Sequence, residues 1–161
     1  MYSDEQYMDQ ALVLAQQAFA IDEVPIGALI VNSQGRIIGS GFNRVESERC
    51  QLAHAELRAL REATDAQGDW RLEGCTVYVT LEPCSMCYHA LRLSRVKKIV
   101  FGADSPLFGF HLDKDSFISV YNLDAILTVQ GVRKQECQEL LKRFFQQKRG
   151  NGEIKKGSRE D

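Results

Sequence analysis

The residue types best suited to chemistry lie in two short words, Ala53-His54-Ala55-Glu56 and Pro83-Cys84-Ser85-Met86-Cys87. Cys84 and Cys87 are three apart and share one face of a helical turn. A helix start favours negative charge and lowers a thiol pKa, so two thiolates there are placed to grip Zn²⁺ at ~2.3 Å. His54 and Glu56 would diverge in mid-helix, but in a first turn both reach the space off the helix end. If two helix starts face each other across a sheet, all four side chains converge. Three protein ligands plus a water is the pattern of a catalytic zinc, whereas structural sites close all four positions. Zinc lowers the pKa of such a water to roughly 7. The Glu56 carboxylate can take the proton, then protonate a ring nitrogen and later, with a second proton, the departing amine, a service worth ~10²–10⁴-fold in rate. The His/Cys/Cys set favours zinc over iron.

Singly, these residues have plainer explanations. A Cys-x-x-Cys pair serves redox chemistry or core packing, a lone histidine is usually structural, and a lone helix glutamate is usually solvated. Only the combination is specific. Cys50, four residues before His54, is the candidate that would close the site as a fourth ligand and make the zinc structural. Cys75 and Cys137 lie in apolar contexts and are expected in the core. His89 and His111 are expected at the surface or in the core.

Elements able to position these words follow from periodicity and punctuation. Ser3 and Gln6 are spaced as a capping box, and Tyr7, Met8, Ala11, Leu12, Ala15 and Ala18 form an apolar face, predicting a helix over 4–20. β-Type runs at 26–31 and 36–42 flank the turn Asn32-Ser33-Gln34-Gly35. A helix is expected over 52–63, a buried strand over 76–81, a short helix from Pro83 to Ser94, strands at 98–101 and 125–129, and a helix over 134–147. The stretch 104–124 gives no clear signal. The order implies a three-layer α/β/α domain over 1–149 around a mixed five-stranded sheet. The polar segment 150–161 is expected to be a disordered tail.

The 161 residues suit one domain, and 44% hydrophobic with 26% charged residues is ordinary for a globular chain. No apolar run approaches the ~18 residues of a membrane helix. The acidic N-terminus lacks a signal-peptide layout, and five cysteines argue against a disulfide framework, so a cytoplasmic location is expected. The net charge of −2 is uneven. Seven Lys and Arg stand against three acidic residues in 142–161, a basic end on an acidic body that suits a nucleic-acid partner as well as a solvated tail.

His-x-Glu followed by Pro-Cys-x-x-Cys is the known signature of zinc nucleobase deaminases, and the roles given above follow that signature. The chain resembles the cytidine-deaminase-like superfamily and, within it, the bacterial tRNA-specific adenosine deaminases. Further matching words are Glu23-Val24-Pro25-Ile26-Gly27-Ala28, Gly41-Phe42-Asn43-Arg44, Tyr78-Val79-Thr80-Leu81-Glu82, Phe101-Gly102-Ala103 and Phe144-Phe145-Gln146-Gln147-Lys148-Arg149. The resemblance implies the cytidine-deaminase-like fold, one Zn²⁺ per subunit, a homodimer, and conversion of adenosine to inosine at the wobble position of a tRNA anticodon, an arginine tRNA reading ACG. It implies that Asn43 hydrogen-bonds the flipped-out base, that Val24 and Pro25 wall the pocket with Ala55 also at the substrate, and that Phe145 and Arg149 touch the anticodon loop, with Phe144 in the core. The chain departs from the family pattern at Arg49-Cys50-Gln51-Leu52 and in the bulkier, more apolar Asp104-Ser105-Pro106-Leu107-Phe108-Gly109-Phe110-His111. A deaminase of free bases or nucleosides such as cytosine or guanine would share the metal chemistry. A non-catalytic zinc or RNA-binding module would have no use for Glu56.

Overall fold

A computed structural model describes residues 1–113 and 126–157. Helix α1 spans Asp4–Ala20, and its capping box is present: Ser3 accepts from Gln6 N while Gln6 accepts from Ser3 N. Strands β1 (Gly27–Val31), β2 (Ile37–Phe42), β3 (Thr76–Leu81), β4 (Lys98–Ala103) and β5 (Leu127–Gln130) form one mixed sheet in the order β2-β1-β3-β4-β5. The β1 pairings are antiparallel, while β3–β4 and β4–β5 are parallel.

Alternation along the strands fills two cores. Ile30, Val77, Val79 and Ile99 face Ala55, Ala59 and Ala63 of α3 (Ala55–Gln67) and Leu91 of α4 (Ser85–Leu93). Leu29, Val31, Tyr78 and Val100 face Tyr7, Met8 and Ala11 of α1 and Cys137 of α5 (Lys134–Gly157). Helices therefore cover both faces, the three-layer α/β/α arrangement expected. Cys75 and Cys137 are buried, as their contexts implied. Two glycines of β2 allow α3 to lie directly on the strand: a Cβ at Gly39 would sit 2.2 Å from the Ala59 carbonyl oxygen, and one at Gly41 2.5 Å from that of Ala55.

The differences from expectation have local causes. A short helix α2 (Val45–Glu48) and a 3-10 turn (Gln51–Ala53) occupy what reads as loop and helix start. They delay α3 to Ala55, and Gly68 at φ 70° ends it in the left-handed conformation. Pro83 precedes α4 without entering it. Helix α5 continues through Gly150 to Gly157, so the boundary at 149 falls within a helix; once nucleated, propagation needs only one hydrogen bond per added residue. Residues 158–161 and Ala125 lie outside the described residues, as does most of 104–124; within it, a 3-10 turn spans Phe110–Asp113.

Candidate metal and active site

Two of the key residues cap helices. His54 and Cys84 are the N-caps of α3 and α4, both in extended conformation, φ −60° ψ 145° and φ −71° ψ 166°. Each is thereby held at a helix start while Glu56 and Cys87 follow inside the first turns. The two starts face each other beside the carboxyl end of β3, the convergence that spacing anticipated. His54 Nδ1 lies 3.7 Å from Cys84 Sγ and 3.4 Å from Cys87 Sγ. A tetrahedral zinc with ordinary Zn–S and Zn–N bonds requires an S···N edge of ~3.6 Å. The donor set therefore fits zinc in both chemistry and spacing. Among the described residues these three side chains offer ligand atoms within 4.8 Å of one another. Cys50 is exposed and is not part of that group.

The charge state of the cluster is that of a site poised for a cation. A hydrogen bond from Cys87, joined by one from His54, brings the Cys84 thiol down to about 4 against the opposing effect of burial. Its hydrogen bond to Cys84, then burial, then the charge of Glu56 raise Cys87. His54 is raised, chiefly by its hydrogen bond to Cys84. Metal binding releases such protons. Glu56 is 4% exposed, and burial pushes its carboxyl up to about 7, against its backbone hydrogen bond and the nearby His54 charge. A carboxyl near 7 both takes and gives a proton at neutral pH.

Spacing did not reveal the supporting residues. His54 Nε2 donates to Gln51 Oε1 at 3.3 Å, the usual outer partner of a metal-bound imidazole, which aims Nδ1 at the sulfurs and makes its lone pair available to a metal once the proton shared with Cys84 is released. Glu82, 5% exposed, accepts from Ser105 N (3.0 Å), His111 N (3.3 Å) and His111 Nδ1 (2.6 Å), fastening the 105–111 loop beside Cys84. Glu23, 1% exposed, accepts from Glu46 N and Ser47 N. A usable signal was present: each is an acidic residue set against apolar neighbours and a proline, where a carboxylate must be buried and therefore satisfied.

The cluster opens into a cavity of about 490 Å³. Val24, Asn43, His54, Ala55, Glu56, Cys84 and Phe145 line it, seven of the residues singled out from sequence. Leu107 and Phe108 also line it, although the stretch holding them gave no structural signal. Pro25 is fully buried and not part of the lining, and Arg149 is exposed on α5 and not part of it either. Phe144 is core at 4% exposure, while Phe145 is 46% exposed. His111 pairs with Glu82 and is no part of the metal group.

Comparison with known proteins agrees with this geometry. The profile of the cytidine and deoxycytidylate deaminase zinc-binding region matches residues 1–103. The chain is 44% identical over 151 residues to a tRNA-specific adenosine deaminase of Bacillus subtilis, covering 92% of each chain. It is 40% identical over 154 residues to that of Haemophilus influenzae, covering 95% of this chain and 89% of the relative. A solved structure from studies of A-to-I editing by tRNA:A34 deaminases superposes with a TM-score of 0.77 at 36% identity, over 84% of this chain and 98% of the other. A guanine deaminase from Nitrosomonas europaea gives 0.73 at 25% identity, over 89% and 85%. The chain belongs to the cytidine and deoxycytidylate deaminase zinc-binding family and, within it, to the tRNA-specific adenosine deaminases.

Proposed function

We propose that this chain hydrolyses adenosine to inosine, with release of ammonia, at the wobble position of a tRNA anticodon, an arginine tRNA reading ACG, acting in the cytoplasm as a homodimer with one zinc per subunit. The observation that carries the reading is the buried Glu56 beside the His54/Cys84/Cys87 cluster on the wall of a cavity deep enough for a base. Bound zinc supplies Lewis acidity toward a water. Glu56 accepts that water's proton, delivers it to the purine ring nitrogen next to the reacting carbon, and then protonates the departing amine. Water supplies the oxygen of inosine; one of its protons stays on the ring nitrogen and the other, lost from the added hydroxyl through Glu56, turns the leaving NH2 into ammonia, so the balance closes. Val24 and Ala55 wall the base, and Asn43 hydrogen-bonds it.

The mouth of the cavity suits a splayed single-stranded loop. Phe145, Leu107 and Phe108 are exposed apolar surfaces on which bases stack, and Lys142, Arg143, Lys148 and Arg149 give the last helix phosphate-binding charge. The test is nucleoside mass spectrometry on an arginine tRNA with an unmodified ACG anticodon. Inosine at position 34 is expected, and none from zinc-loaded protein would refute the proposal. The likeness to a guanine deaminase supports one alternative, a free-base substrate. Turnover of guanine at a rate above that of the tRNA would favour it.

A further inference from the structure

Glu23 has no part in the metal cluster, yet it is 1% exposed and borders the same cavity. Its Oε1 accepts from Ser47 N at 2.6 Å and its Oε2 from Glu46 N at 3.2 Å, at the start of α2. Oε2 also accepts from Asn43 Nδ2 at 3.5 Å, and the same nitrogen donates to the Val24 carbonyl at 3.3 Å. Both groups facing this side of the Asn43 amide are acceptors only. The nitrogen must therefore lie there, because the flipped amide would set Oδ1 against a carboxylate and a carbonyl. Among the described residues Oδ1 has no hydrogen-bond donor, and Asn43 lines the cavity.

We infer that Glu23 is a positioning residue that locks the Asn43 amide so that it offers the substrate an acceptor. The position then reads a hydrogen-bond donor, a ribose hydroxyl or the exocyclic amine, and not an acceptor such as purine N7. This rests on the proposed deaminase reading and deepens it: the preference is set by the buried carboxylate and not by Asn43 alone.

The test is steady-state kinetics on an anticodon stem–loop, with wild-type turnover as the control for the deaminase reading itself. E23Q places a donor opposite Nδ2 and frees the amide to turn. It is expected to lower kcat/KM roughly 10-fold while zinc content and Tm stay near wild type. In an N43A background E23Q should add nothing. The comparisons with altered targets use only wild type and N43A, so they still read if E23Q folds poorly. A 2′-deoxy target that slows wild type but not N43A identifies the ribose hydroxyl as the donor, and equal effects on both identify the amine. A 7-deaza target should affect wild type and N43A equally. The inference is overturned if 7-deaza slows only the wild type, or if E23Q costs as much in N43A as in wild type. Inactivity of the wild type would instead remove the deaminase reading.

Discussion

The metal end of the cavity and its mouth are built differently. At the metal end, His54 and Cys84 cap two helices, Glu56 and Cys87 sit within the next turn, and the 3.4–3.7 Å S···N spacing already suits a metal. At the mouth, Leu107 and Phe108 stand 75% and 74% exposed on a loop with no regular structure of its own, held by the Glu82 carboxylate, by the Phe110 N to Pro83 O hydrogen bond and by Phe110 stacked on Tyr88. Chemistry that depends on distances of tenths of an ångström is carried by helix starts, whose geometry is local. The proposed recognition of RNA, which tolerates adjustment, falls to a loop placed through contacts 23 and 29 residues apart in sequence.

If the two regions are separable, changes at the metal end should abolish turnover whatever the substrate, and changes at the mouth should act on RNA binding alone. Glu56→Gln should give the largest effect, a fall of ~10²–10⁴-fold in kcat with zinc retained, read by single-turnover kinetics and metal analysis. Turnover within a few-fold of wild type would dissolve the distinction. Gln51→Ala removes the partner that orients the imidazole and should weaken zinc affinity by ~10–100-fold in chelator competition, with KM for RNA little changed once zinc is saturating. Phe108→Ala should raise KM for the stem–loop by roughly 5-fold or more with kcat and zinc content unchanged, since one stacked base is worth ~1–3 kcal/mol.

The metal end was also the more legible in sequence. Spacing alone put Cys84 and Cys87 on one helical turn, and β3 at Thr76–Leu81 and α1 at Asp4–Ala20 follow from apolar pattern and capping. The start of α3 was displaced because Gln51-Leu52-Ala53 favours a 3-10 turn that leaves His54 extended, which periodicity does not register. The 104–113 path was unreadable because it depends on Glu82 and on the stacking of Phe110 on Tyr88 at 4.2 Å, not on neighbouring residues. Word matching also does not say which residues border the cavity: Pro25 is buried and outside its lining, and Arg149 is exposed on α5 and likewise outside it.

The smallest predicted effect lies far from both regions. Burial alone would raise the Asp4 carboxyl, but hydrogen bonds from Lys98 and Tyr78 and the Lys98 charge outweigh it and lower its pKa. A carboxyl lowered on folding stabilises above its unfolded pKa of about 3.9 and loses that contribution as pH falls through the folded value. Asp4→Asn should therefore cost stability at pH 7, within the ~0–1 kcal/mol typical of part-exposed pairs, and the gap to wild type should close below about pH 4 in thermal melts. Activity per folded molecule should be unchanged.

The account depends on three protein ligands leaving one position for a small molecule next to Glu56. Zinc-edge X-ray absorption on the zinc-loaded protein tests this directly. Two sulfurs at ~2.3 Å, one imidazole nitrogen and one further light atom that exchanges with added ligand are predicted. A third sulfur, or a fourth protein ligand that no small molecule displaces, would contradict it.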